Sequence, residues 1–161
     1  MSSLPRPDIK HPVHFLAFGF GSGLSPKAPG TAGTLAAVPI LYLMSFLTSV
    51  EYLIVLSMII VAGVWLCGQS SKMLGVHDHP GIVWDEFAGL LVTMIAVPVT
   101  WGTVLAGFIL FRLFDILKPW PIGWLDKKIS GGLGIMLDDL VAGALALSIL
   151  QLLLKFELLP M

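Results

Sequence analysis

Seven carboxylates, Asp78, Asp85, Glu86, Asp115, Asp126, Asp138 and Asp139, lie in two short segments between apolar stretches. Adjacent acids such as Asp138 and Asp139 repel unless a cation or a proton relieves them. Asp85 and Glu86 sit just before an apolar run, where the helix dipole and free amides favour one carboxylate. Capping explains one acid there and leaves the second unexplained. Hard divalent cations take oxygen ligands, and Mg²⁺ is commonly held by one or two carboxylates plus substrate phosphate. Asp85, Glu86, Asp138 and Asp139 are therefore the candidate metal ligands, with helix capping as the alternative. His77 and His79 flank Asp78 beside these acids, where a proton-transfer role competes with that of ordinary loop residues.

Cationic groups stand among the acids. Arg112 and Asp115 are spaced i,i+3, so they can simply pair; Arg112 can equally grip a phosphate through its planar fork. Lys118 precedes Pro119, which ends a helix. Its ammonium is either a charge anchor or a phosphate ligand. The segment from Gly19 to Thr34 is rich in glycine and precedes an apolar run. Free amides at such a helix start can hold an anion, and Ser22, Lys27, Thr31 and Thr34 could add donors. The Gly-Lys-Ser/Thr ending of a phosphate loop is missing. Asp126, beside Lys127 and Lys128, reads as a solvated surface pair.

Elements that could position these groups are apolar and long. Five stretches run from Leu35 to Val50, Tyr52 to Cys67, Phe87 to Val99, Trp101 to Leu117 and Leu137 to Leu154. Hydrophobic residues make up 57% of the chain and charged ones 12%, and mean hydropathy is +0.93. Soluble domains carry about 25% charged residues. The expected fold is an all-α, polytopic membrane protein with about four to five membrane helices in a single domain, residues 1–161. A short turn is expected near Val50 and Glu51. Pro98 and Gly102 suggest a hairpin that crosses the membrane, with a re-entrant pair as the alternative. Asp85 and Asp115 are each 15 residues from Thr100. An antiparallel hairpin then puts both at one depth.

Assigning the intervening segments alternately to two sides separates the charges. One side takes Arg6, Lys10, Lys27, Lys72, Arg112, Lys118, Lys127, Lys128 and every histidine; the other takes Glu51, Lys155 and Glu157. The Lys and Arg excess marks the crowded side as cytoplasmic. Residues 1–18 read as a cytoplasmic tail, since no apolar signal-peptide core is present. A net charge of −1 offers no field for nucleic acid. Cys67 is the one cysteine, which excludes an intrachain disulfide and a Cys-based zinc site. These features point to a metal-using enzyme at the inner surface of a bilayer. A transporter would show mid-membrane charges or repeated halves, and a structural subunit would not need acid- and glycine-containing motifs on one face.

Four motifs in order carry a resemblance. They are Gly19-Phe20-Gly21-Ser22-Gly23-Leu24-Ser25-Pro26 with Pro29-Gly30-Thr31; His77-Asp78-His79 with Val83-Trp84-Asp85-Glu86-Phe87; Phe111-Arg112 with Asp115 and Lys118-Pro119-Trp120-Pro121-Ile122; and Gly131-Gly132 with Gly134-Ile135-Met136 and Asp138-Asp139. From Phe18 to Gly143 the chain resembles the bacterial phosphatidylglycerophosphatase A family. The resemblance implies a Mg²⁺-dependent phosphatase, integral to the bacterial inner membrane and facing the cytoplasm. It implies a phospholipid substrate, phosphatidylglycerophosphate, released as phosphatidylglycerol and phosphate. Joined to the residue reading, it gives Asp85, Glu86, Asp138 and Asp139 as the metal cluster with Asp115 nearby. Arg112, Lys118, Lys27, Ser22 and Thr31 fall to phosphate, and His77, Asp78 or His79 to proton transfer. Attack by water and attack by a carboxylate both fit. The alternative is a phosphatase or transferase acting on another phospholipid headgroup.

Overall fold

A computed structural model describes residues 5–77 and 79–159, among which it is helical and contains no strand. Helix α1 (Pro12–Ala17) and a kinked 3₁₀ segment (Gly19–Leu24) lead into α2 (Pro29–Met44). Then follow α3 (Ser49–Leu74), α4 (Trp84–Thr93), α5 (Trp101–Leu117), α6 (Ile122–Lys128) and α7 (Gly131–Lys155). Local chemistry sets several ends. The Thr48 hydroxyl accepts from Glu51 N, and the Glu51 carboxylate accepts from Thr48 N at 2.8 Å. This capping box starts α3 at Ser49. The α2–α3 turn therefore falls at residues 45–48, slightly before the expected Val50–Glu51. A second box, Thr100 with Thr103, starts α5. Lys118, in the left-handed region at φ 43°, ends it one residue before Pro119.

Short α4 is the centre of the bundle. Eight of its 10 residues are buried, and α2, α3, α5 and α7 all pack on it. The stretch Phe87 to Val99, expected as one helix, is helical only to Thr93. At about 1.5 Å per residue, 10 residues reach about 15 Å, half of a hydrocarbon layer of about 30 Å. Val97 is biased away from helix by Pro98, and residues 94–100 continue as irregular chain. Their carbonyls still find partners: Gln151 Nε2 donates to Ile95 O and Ala96 O, both at 3.4 Å, and Thr103 Oγ1 donates to Pro98 O. This segment reaches the α2–α3 turn, where Met94 and Pro98 share a cavity with Ser45 and Ser49.

Helix α7 begins seven residues before Asp138, earlier than the sequence suggests. A Cβ at Gly132 would collide with the Val64 carbonyl of α3. Bare glycine backbone allows the two helices to touch, and that packing overrides glycine's poor helix propensity. Helices α3 and α4 are further tied by Tyr52 Oη donating to Leu91 O at 2.7 Å and Trp84 Nε1 donating to Ile59 O at 3.1 Å. Such bonds contribute about 1 kcal/mol each.

Two described helices, α3 and α7, are long and apolar enough to cross a membrane. Helices α2 and α5 are shorter, at 16 and 17 residues. Only 28% of the apolar window of α3 is buried. Its Ile54, Met58, Val61 and Trp65 form an exposed stripe, and α5 shows another in Trp101, Leu105, Ile109, Leu113 and Ile116. Soluble monomers rarely expose continuous apolar bands of that extent.

Candidate active site

The starts of α2 and α4, the end of α5 and the second and third turns of α7 surround a cavity of about 250 Å³. Asp85 and Glu86 enter it from the first turn of α4, as the sequence suggests. Arg112, Asp115 and Lys118 come from the end of α5. Asp138 and Asp139 come from α7, where both are buried. Asp85 and Asp115 thus line the same cavity.

Arg112 is the hub of one half. Its Nη1 lies 3.2 Å from Glu86 Oε1 and 2.5 Å from Asp115 Oδ2. Lys118 is the hub of the other, 2.8 Å from Asp138 Oδ2 and 2.9 Å from Asp126 Oδ1. Burial alone would lower the Lys118 pKa, but hydrogen bonds and charge from Asp138 and Asp126 outweigh it, and the ammonium is held above the ordinary lysine value. Five carboxylates against two cations still leave net negative charge in the cavity. Asp138 Oδ1 and Asp139 Oδ2 are buried and lack a hydrogen-bond partner among the described residues. Buried carboxylate oxygens are costly without a proton or a cation.

The donor chemistry fits a hard cation, which takes oxygen ligands. Among the described residues no three His, Cys, Asp or Glu side chains converge as a closed metal cage. The α2 N-terminus faces Arg112. A Cβ at Gly30 would collide with Glu86 Oε1 and crowd both Arg112 terminal nitrogens. Backbone here lies directly against the Glu86–Arg112 ion pair and leaves no room for a side chain.

Residues 15–154 match the family model for phosphatidylglycerophosphatase A. The chain is 53% identical over 146 residues to phosphatidylglycerophosphatase A of Escherichia coli K12, covering 90% of this chain and 85% of the relative. The chain belongs to the phosphatidylglycerophosphatase A family. Identity to the Haemophilus influenzae protein of the same name is 45% over 145 residues, covering 89% of each chain. A Bacteroides thetaiotaomicron relative, named as a proposed phosphatidylinositol-3-phosphatase, is 38% identical over 133 residues, 78% of this chain and 82% of its own. No solved structure matches. Family membership makes this protein an enzyme, a phosphatase.

Other sequence candidates of this phosphatase take different places. Neither His77 nor His79 lines the cavity. His77 Nε2 accepts from Gly131 N at 2.9 Å and so holds the start of α7. His79 is buried; its Nδ1 accepts from Gly81 N at 3.0 Å and its Nε2 lies 3.1 Å from Pro5 O. Asp78 lies outside the described residues. Ser22 Oγ donates to Gly19 O at 2.8 Å, a bond internal to its loop. Lys27 is exposed and Thr31 half-buried, and neither lines the cavity. Thr34 Oγ1 donates to Gly30 O at 2.9 Å within α2. Gly30 itself is not singled out by side-chain chemistry; its place in Pro29-Gly30-Thr31, at a glycine-rich helix start, is the sequence signal for it. Asp126, read as a surface pair with its neighbours, instead braces Lys118.

Proposed function

We propose that this protein is a Mg²⁺-dependent phosphatase of phosphatidylglycerophosphate, integral to the bacterial inner membrane with its cavity toward the cytoplasm. The carrying observation is the cavity itself, in which Arg112 and Lys118 stand among five carboxylates at one end of an apolar bundle. The names of the Escherichia coli and Haemophilus influenzae relatives support the substrate. Exposed apolar stripes on α3 and α5 support insertion, as do Trp101 at the start of α5 and Trp120 just past its end, 90% and 84% exposed, since tryptophans favour membrane interfaces. The bundle on this reading has four to five passes, with α4 and residues 94–100 together forming the irregular one. The Lys and Arg excess at the cavity end supports a cytoplasmic face.

In this reading the terminal phosphate sits between the α2 N-terminus and Arg112, with Lys118 beyond. One or two of Asp85, Glu86, Asp138 and Asp139 would hold Mg²⁺ together with substrate phosphate, and the ion would supply charge neutralisation and polarisation of water. Arg112 gives up part of its pairing with Glu86 and Asp115 to bind phosphate oxygens, which fixes phosphorus in the cavity. Asp115, which stands outside the metal set, accepts the proton of the attacking water. The new oxygen–phosphorus bond forms as the bond from phosphorus to the glycerol oxygen breaks, and the leaving alkoxide takes up, through solvent, the proton that Asp115 releases, giving the alcohol and inorganic phosphate. His77 and His79 act as positioning residues, fixing the α7 start and the Pro80–Gly81 turn, and Asp78 stays a candidate for proton transfer.

A second reading, another phospholipid phosphomonoester, is favoured by the name of the Bacteroides relative. One experiment separates the two. Phosphate release by purified protein in detergent is followed with phosphatidylglycerophosphate, phosphatidic acid and phosphatidylinositol 3-phosphate, with Mg²⁺ and with excess chelator, beside Asp85→Asn. Release from the first lipid that needs both Mg²⁺ and Asp85 supports the proposal. Equal or faster release from another lipid transfers the activity to that substrate.

A further inference from the structure

Pro29 and Pro80 line the phosphate cavity and also a second cavity of about 590 Å³, so the two adjoin. The N-terminal segment forms one wall of the second cavity, with Arg6 among its lining residues. Proline stiffens this wall. Pro5 and Pro7 fix their own φ, and Pro7 biases Arg6 toward extended backbone. The wall is also tied down. His79 Nδ1 accepts from Gly81 N, so its Nε2 carries the proton and donates to Pro5 O at 3.1 Å. Asp8 turns the chain just beyond: its carboxylate accepts from Lys10 N and its carbonyl from His11 N, both at 3.0 Å. Arg6 is thereby held at the cavity before any ligand arrives, which lowers the ordering cost of binding.

The two cavities differ in charge. Five carboxylates and two cations line the first. Among the described residues no carboxylate lines the second, and Arg6 forms no ion pair. Phosphatidylglycerophosphate carries a second anion, its internal phosphodiester, one glycerol unit away from the terminal phosphate. The acid-rich cavity repels that anion. The adjoining one offers it a guanidinium with no competing acid. The glycerol linker has to bridge only the boundary that Pro29 and Pro80 form. Leu24 lines the second cavity and is exposed, as is Phe20 in the same 3₁₀ segment, so apolar surface lies beside it for the lipid end of the molecule.

We propose that the second cavity binds the internal phosphodiester of the substrate and that Arg6 is the residue that recognises it. The inference rests on reading the first cavity as the terminal-phosphate site, and it adds a specificity determinant from the N-terminal segment. Arg6 then separates phosphatidylglycerophosphate, which carries both anions, from phosphatidic acid, which carries a terminal phosphate alone.

The test compares phosphatidylglycerophosphate with an analogue whose internal phosphodiester is replaced by a neutral methylphosphonate, using the unsubstituted protein, Arg6→Gln and Arg6→Lys. The unsubstituted protein should prefer the natural ester in kcat/KM at least about tenfold, the order of one charge-assisted contact. Arg6→Gln should abolish most of that preference, and Arg6→Lys should keep more of it, as a point charge without the fork. A preference that Arg6→Gln leaves unchanged overturns the proposal, whether both esters lose activity together or neither does. An independent arm titrates dihexanoyl phosphatidylglycerol, which keeps the phosphodiester and lacks the terminal phosphate, by calorimetry in detergent. Arg6→Gln should weaken its binding at least about tenfold. Equal binding to both proteins, or none to the unsubstituted one, overturns the proposal. If the unsubstituted protein hydrolyses neither ester, the proposed function fails, and the binding arm alone decides the second cavity.

Discussion

The Lys118 ammonium lies 2.8 Å from an Asp138 carboxylate oxygen and ties the end of α5 to the interior of α7. Asp126 of α6 closes the same knot at 2.9 Å. Lys118→Met removes the partner of a buried acid, and the expected cost is about 1–3 kcal/mol, read as a lower unfolding temperature in detergent. Combining Lys118→Met with Asp138→Asn should recover part of that loss. Because the folded lysine pKa is raised, the stabilisation is full below the unfolded value near 10.4 and is lost only as pH rises through the folded value. A thermal midpoint for the pair that already falls between pH 7 and 9 would contradict this.

Gly30→Ala places a methyl against Glu86 and Arg112. Glycine-to-alanine is ordinarily stabilising inside a helix. Here the methyl displaces Glu86 and the Arg112 fork from their places beside α2, and turnover should fall roughly a hundredfold with the protein still monodisperse. Phosphate-release kinetics beside size-exclusion chromatography check both halves.

Asp139→Asn removes one of five clustered carboxylates from a fully packed position. The folded protein loses repulsion while the site loses an oxygen ligand. The expected variant is at least as heat-stable as the parent and slower on the order of a hundredfold or more. A variant that is both unstable and active would refute the assignment.

His77→Ala and His79→Ala test whether a histidine transfers the proton. Loss of a proton-transfer group costs roughly 10²–10⁴ in rate. Both histidines sit outside the cavity lining, so losses below about tenfold are expected, with the pH–rate profile unchanged in shape. A lost limb of that profile in either variant would return the proton to the histidine.

His14 sets an acid limit on stability. It is buried on α1, with Nδ1 2.8 Å from Ser70 Oγ. Burial first, then the neighbouring His11, lower its pKa; Asp8 pulls the other way, and His79 adds a smaller lowering. The unfolded chain then binds more protons. Stability is intact above the model-peptide value of about 6.5 and is lost as pH falls from there through the lowered folded value. Unfolding midpoints between pH 5 and 8 should fall on the acid side for the parent and less for His14→Gln.

What the sequence determined by itself is chemical. Acid pairs, Arg112 and Lys118 are visible as types at spacings, and Pro119 ends α5 because of covalent geometry that acts locally. Helicity follows from long apolar stretches, and Asp85 and Asp115, equally far from Thr100 in sequence, line one cavity. Tertiary structure decided the rest. It started α7 at Gly131, since helix contact at Gly132 outweighs local propensity. It stopped α4 at Thr93, with Gln151 and Thr103 meeting carbonyls of the irregular segment from distant or later positions. It turned His77 and His79 to backbone partners and made Gly30 part of the site. Those outcomes depend on which atoms approach from elsewhere in the chain, and no local pattern encodes an approach across 50 or more residues, as between His77 and Gly131.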